Sequence, residues 1–266
     1  MSTPLCAWIA GVGVLAPGLP DWPTARAVLR GERPYASAPS VLPAPTLLPA
    51  AERRRASRVV KLSLALGLEA VAQAGADASQ LATVFSASGG DCHNCHALCE
   101  QLAGDDRQIS PTRFHNSVHN AAAGYWGIAT GSMAPSQVVC AYDGSFGAGL
   151  LDALGQSAIS REPVLLIAYD GEYPEPLHAK RATPDCGGVA LLLRAERGER
   201  ALAAIRVRPT ADPAGTLTDA GLEDLRTGIP AMRALPLLGA LANGAHGDVR
   251  LDYLLPMQLH VVLEPC

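Results

Sequence analysis

Charge and aromatic rings are both scarce in this sequence. Only 17% of its 266 residues are charged and 5% are aromatic, and the formal net charge is −4. Without clusters of Lys and Arg there is no basic face to neutralise phosphates, which argues against a nucleic-acid binder. No uninterrupted apolar run reaches about 18 residues, the length that marks a membrane-spanning helix. Internal repeats are missing too, which removes coiled coils and collagen-like fibres. Apolar residues, by contrast, make up 48% of the chain. That is too many for disorder and enough to build the core of one large soluble domain or two small ones.

Leu5 to Leu15 is apolar, but no Lys or Arg precedes it, and Gly11, Gly13 and Pro17 punctuate it. An export signal wants a basic start and a small-residue cleavage site. Cys6–Leu15 therefore reads as a buried first strand running into a Gly/Pro turn. The expected compartment is the cytoplasm, where the seven cysteines stay reduced.

Further along, Trp22–Leu29 has helical spacing, and the Pro/Ala-rich stretch from Pro34 to Pro49 reads as an irregular surface excursion. Val59, Leu62, Leu66 and Ala70 predict a helix over Arg53–Ala74, stopped by Gly75. Strands are expected at Ala82–Ser88, Gln137–Tyr142, Val164–Ala168 and Val189–Leu193. Helices are expected at Cys92–Leu102, Asn116–Ala129 and Ser145–Ile159. This alternation predicts a layered α/β fold with a largely parallel sheet. In the tail, Ala231–Ala242 predicts a helix kinked or shortened by Pro236, and Val249–Leu254 with Leu259–Leu263 a hairpin around Pro256. No element is assigned between Arg194 and Pro230.

Three stretches could carry chemistry. Cys92-His93-Asn94-Cys95-His96 matches a haem-attachment signature. Cys92, Cys95, His96, Cys99 and Leu102 also share one helical face, which favours core packing or pocket lining over haem or zinc. Val138 to Gly149 reads as a strand, a sharp turn and a helix of small residues, with Asp143 at the helix start. Such a turn can present a nucleophile, or Asp143 can be a plain N-cap. Ser110 to Gly124 holds His115, Asn116, His119 and Asn120 ahead of an Ala-rich helix, with His115 or His119 as a general base or all four as caps and turn formers.

The run Ser110-Pro111-Thr112-Arg113-Phe114-His115-Asn116-Ser117-Val118-His119-Asn120, continuing to Gly131, resembles the segment ahead of the nucleophile in β-ketoacyl-ACP synthases. Ala134-Pro135-Ser136 is similar to their Gly-Pro-Ser. Ile9 to Val14 is similar to their opening strand, and Gly187 to Leu193 to the strand closing their first half. The resemblance covers roughly residues 5–195. It implies a thiolase-like half: a layered, mixed, mostly parallel sheet with helices on both faces, and the C-terminal thiolase half absent. Residues 1–195 would form that domain, and residues 196–266 an extension of a helix plus a β-hairpin packed on it.

The position of the family's catalytic cysteine is held here by Asp143. The family's two catalytic histidines belong to the second half, and His246 and His260 lie outside any such motif. A chain without the thiol cannot form an acyl-thioester intermediate. The resemblance therefore implies a catalytically inactive chain-length factor, of the kind found in type II polyketide and aryl polyene clusters. Its partner would be an active β-ketoacyl-ACP synthase, whose acyl pocket it helps shape, with an acyl carrier protein involved indirectly and no cofactor or metal. The family's dimers join along the strand before the nucleophile, here Ser136–Tyr142. The implied interface residues are Phe114, His115, Asn116, His119, Asn120, Tyr125, Trp126, Val138, Val139, Cys140 and Tyr142. Asp143 would be a structural plug accepting backbone hydrogen bonds at the helix start. The rival readings are an α/β hydrolase-like enzyme with Asp143 as nucleophile and His246 or His260 as base, and a redox or haem protein built on Cys92–His96.

Overall fold

Gly11 and Gly13 explain how the first strand enters the core. A Cβ on either would stand 2.1 Å from the carbonyl oxygen of Ala70 or Leu66, so only glycine lets a helix lie directly on strand β1 (Leu5–Leu15). The computed structural model describes residues 3–266. Helix α1 (Trp22–Leu29) starts where Asp21 accepts from the Thr24 amide at 2.7 Å. The single helix predicted for Arg53–Ala74 is two helices, α2 (Ala50–Arg55) and α3 (Arg58–Ala74). The break has a tertiary cause. Ala56 and Ser57 are extended, Ala56 is buried, and the Asn116 amide donates to the Arg55 carbonyl freed at the end of α2. Gly75 ends α3 in the left-handed region, φ 61°.

Strand β2 (Ala82–Ser86) is followed by α4 (Cys92–Ala103), α5 (Pro111–His115) and α6 (Ala121–Thr130). Then come β3 (Ser136–Val139), α7 (Ser145–Ser160), β4 (Val164–Asp170) and β5 (Gly187–Arg194). The unassigned stretch contains β6 (Ala203–Thr210) and α8 (Ala220–Gly228). A 3-10 segment, Pro230–Ala234, leads into α9 (Leu235–Ala242). Pro236 lies in the first turn of α9, where its missing N–H costs nothing, so it starts the helix rather than kinking it. The hairpin around Pro256 is β7 (Gly247–Leu251) with β8 (Gln258–Pro265).

The eight strands of the described residues form one sheet in the order β3-β2-β4-β5-β1-β6-β8-β7. It is mixed, but the parallel share is smaller than predicted: β2 is parallel to β3 and β4, and every other pairing is antiparallel. Parallel neighbours need a crossover helix. The segment α4–α6 and helix α7 supply crossovers on either side of β3, whereas β4 returns into β5 through an irregular loop. Helices cover both faces. On β4, Val164, Leu166 and Ala168 face a core shared with α1, α7, α8 and α9, while Leu165, Ile167 and Tyr169 face α3 and α6.

Candidate functional site

The strand predicted for Gln137–Tyr142 stops at Val139, because the chain turns sharply before α7. Tyr142 is in the left-handed region, φ 52°, inside a 3-10 turn, Tyr142–Gly144. Two contacts of one hydroxyl hold this turn: Ser145 Oγ accepts from the Ala141 amide (3.0 Å) and donates to the Tyr142 carbonyl (2.7 Å). The Tyr142 ring lies 3.9 Å from the Arg181 guanidinium carbon. Small residues let α7 sit close to its neighbours. A Cβ on Gly144 would meet the Tyr253 carbonyl at 2.7 Å, and one on Gly149 would meet Ser86 at the same distance.

Asp143 is not the helix N-cap. That position belongs to Gly144, which offers no side chain, and the Asp143 carboxylate turns instead toward two arginines. Arg181 Nη2 is 2.6 Å from Oδ1 and Arg233 Nη2 is 3.3 Å from Oδ2. Both arginines are largely buried. The charge chain continues: Arg233 pairs with Asp252 (2.7 Å), Asp252 with Arg226 (2.5 Å), and Arg226 with Glu223 (2.6 Å). Local spacing gives no hint of Arg181 or Arg233, since the loop after β4 and the 3-10 segment bring them in. No imidazole pairs with Asp143 among the described residues, and His260 Nε2 is bonded to Asp248 at 2.9 Å.

Asp170 ties this corner together. Its Oδ1 accepts from the Ser88 amide and hydroxyl (2.8 and 2.6 Å), and its Oδ2 from the Ala231 amide (2.8 Å). Full burial pushes its pKa up to about 6, despite those three donors. The folded state therefore holds this proton more tightly than the unfolded chain, whose carboxyl titrates near 3.8. Stability from this group is present below about pH 4 and falls as pH rises to about 6, by on the order of 3 kcal/mol. Asp170→Asn is expected to remove that slope in denaturation midpoints measured from pH 4 to 7.

The interface residues inferred from sequence separate into two groups. Phe114 (65% exposed), His115, Asn120, Cys140 and Tyr142 are on the surface, and His119, Val138 and Val139 are half-buried. Burial holds the His119 imidazole below its usual pKa. Asn116, Tyr125 and Trp126 are buried within the chain itself, which corrects their assignment to a partner-facing surface. Trp126 packs edge-on against Phe85 at 6.5 Å, and Gly67 in α3 makes room for its ring. The Tyr125 hydroxyl donates to Asn116 Oδ1 (3.2 Å), which holds α6 to the end of α5. Trp126→Ala is accordingly expected to destabilise the isolated subunit by about 3–5 kcal/mol in urea titrations. A residue that served only a partner would leave that value unchanged.

Exposed apolar side chains that sequence spacing did not single out flank β3: Ile128, Met133 and Ile159. Strand β3 is also the end of the sheet. The Thr83 amide donates to the Pro135 carbonyl, and the Ala87 amide to the Val139 carbonyl. Gln137 and Val139 thus turn their backbone groups toward β2, and Ser136 and Val138 turn theirs outward.

Helix α4 is a surface helix, so its cysteines form no core stripe, and Cys92 instead lines a pocket with Arg58 and Val59 of α3. Only Leu98 is buried, Cys92 and Cys95 are half-buried, and Cys99 is exposed. Burial pushes the Cys92 thiol up to about 11. Among the described residues one donor group, Glu172, Asp185 and Cys186, is compact enough for a metal. The Arg58 guanidinium already serves these donors, 2.8 Å from Glu172, 2.7 Å from Asp185 and 3.3 Å from Cys186 Sγ.

A sharp turn joining the edge strand β3 to the buried helix α7, within a mixed sheet covered on both faces, is the arrangement of a thiolase-like α/β unit. Residues 29–234 match the family model of the beta-ketoacyl synthase N-terminal domain. The chain belongs to that family. No curated protein matches it. A chain from the ketosynthase (ApeO) in complex with its chain length factor (ApeC) from Xenorhabdus doucetiae superposes with a TM-score of 0.73 at 23% identity, covering 98% of this chain and 100% of that one. The ishigamide ketosynthase/chain length factor gives 0.72 at 16%, with 99% of both chains covered. The ketosynthase from module 1 of the bacillaene synthase of Bacillus amyloliquefaciens FZB42 gives 0.58 at 16%, and there 80% of this chain covers 47% of the other.

Proposed function

We propose that this chain is a catalytically inactive ketosynthase-like subunit, a chain-length factor. It pairs with an active β-ketoacyl-ACP synthase and shapes or stabilises that partner's acyl pocket in aryl polyene, polyketide or fatty-acid-type biosynthesis. The observation that carries this reading is Asp143, a carboxylate gripped by Arg181 and Arg233 at the turn where the resemblance places the synthase thiol. Two guanidinium groups on one carboxylate withdraw its electron density and fix its direction, which suits a plug and not a nucleophile. Strand β3 offers the pairing edge, with Ile128, Met133 and Phe114 as apolar surface for the partner to cover. In this reading residues 1–195 form the synthase-like unit. Residues 196–266 extend its sheet and cover the face bearing α7, in a cytoplasmic complex that an acyl carrier protein meets through the active subunit.

The test is co-expression with a ketosynthase from the same gene neighbourhood, followed by light scattering and acylation with a labelled carrier-bound acyl group. The expected result is a one-to-one complex in which label appears on the ketosynthase alone. A monomer that ignores the ketosynthase, or an ester trapped on Asp143, overturns the proposal.

A further inference from the structure

The proline-rich stretch between α1 and α2 has no part in the site above, yet it is firmly held. The Tyr35 hydroxyl donates to the Pro17 carbonyl (3.0 Å), and the Ser40 amide and hydroxyl donate to Asp185 and to the Cys186 carbonyl, each at 2.7 Å. Leu48, 2% exposed, anchors the other end in the core. Residues 41–47 span these anchors as a strap beside α3. Between strap and helix lies a cavity of about 480 Å³, within the range of small-molecule sites. A structureless segment of this length in a packed domain is uncommon and is usually functional.

The cavity has apolar walls, two hydrogen-bonded carboxylates, Asp21 and Glu69, and one cation, Lys61. Val41, Pro43 and Leu47 of the strap face Leu64, Ala65 and Leu68 of α3. Val41 is 80% exposed and Leu47 53%, so apolar surface stands at the mouth for an occupant to cover. Both acids in the lining are already engaged. Asp21 caps α1, and the two oxygens of Glu69 accept from the Trp22 and Val14 amides (2.7 and 2.8 Å). Lys61, one of only two lysines in the chain, makes no ion pair among the described residues. It lies four and seven residues before Ala65 and Leu68, in one line along α3.

We propose that this cavity binds an amphipathic anion: an unbranched apolar chain of medium length whose carboxylate meets Lys61. The site uses none of the residues around Asp143 and stands independently of the proposed pairing. Calorimetric titration of the full chain, alone and with its ketosynthase, with decanoate and decanol as probes tests it. Decanoate is expected to bind saturably at one site. Lys61→Met should weaken decanoate at least tenfold and leave decanol within twofold. Ala65→Trp, at a half-buried position, should fill the cavity and abolish both. Val41→Asp, on the exposed strap, should repel decanoate without touching the core. Absence of saturable decanoate binding, equal decanoate binding by Lys61→Met, or full binding by both Ala65→Trp and Val41→Asp overturns the proposal.

Discussion

On the proposed pairing, replacing Val138 with proline is expected to leave this chain folded and to abolish its association with the ketosynthase. The residue lies in β3, at the open end of the sheet, and its amide points away from β2. Proline there removes a donor that the subunit's own ladder does not use, and its φ suits an edge strand. Strand-to-strand pairing across subunits would lose that hydrogen bond and meet the ring in its place. Affinity for the ketosynthase is expected to fall about 100-fold or more, roughly 2.8 kcal/mol, while the thermal midpoint of the lone subunit moves little. Val139→Pro is the contrasting variant, because its amide faces β2 and its loss should destabilise the subunit itself. Surface-plasmon titration beside thermal melts of both variants would decide the matter. Undiminished affinity in Val138→Pro would remove β3 from the interface.

Asp143→Ala is expected to destabilise the chain and, if the proposed pairing holds, to spare the ketosynthase's chemistry. Arg233 would keep Asp252, but Arg181 would lose its ion pair and keep the rings of Tyr142 and Tyr173 and the more distant Asp170. An uncompensated, largely buried guanidinium is costly. Asp143 is 38% exposed, so water screens part of the effect and a loss of about 1–2 kcal/mol is expected. That corresponds to a melting temperature lower by roughly 2–8 °C. Chain elongation by the complex should persist at wild-type extent once the complex is formed. Loss of elongation from an intact complex would show that Asp143 takes part in the reaction, and the plug reading would fall.

Much of the fold can be read from short-range pattern, because short-range physics decides it. The buried runs Val164–Ala168 and Val189–Leu193, the Asp21 and Gly75 boundaries, and the tail hairpin all follow from hydrophobic period and turn chemistry. The division of Arg53–Ala74 does not, since side chains distant in sequence impose it. Strand β6 carries a legible signal, Ala203, Ile205 and Val207 buried in alternation with exposed Arg206 and Arg208, but it lies amid polar turns that blur its ends. The site is harder. Asp143 stands out in the sequence, and its two arginine partners do not, because the loop after β4 and the segment after α8 meet only in three dimensions. Tyr125 and Trp126 mislead for a related reason. Large aromatic side chains serve cores and interfaces alike, and Gly67, which decides between them, sits on another helix.

Strand β1 has a consequence for how the molecule comes into being. It is made well before the strands it pairs with, for Trp8 pairs with Arg194 and Leu5 with Val207. The middle of the sheet thus waits for most of the chain to be synthesised, leaving the apolar Leu5–Leu15 run unpaired meanwhile. Contacts of such long sequence separation fold slowly and leave nascent chains prone to aggregation. A chaperone that holds the first strand until β5 and β6 have been made is expected to raise the soluble yield of this protein.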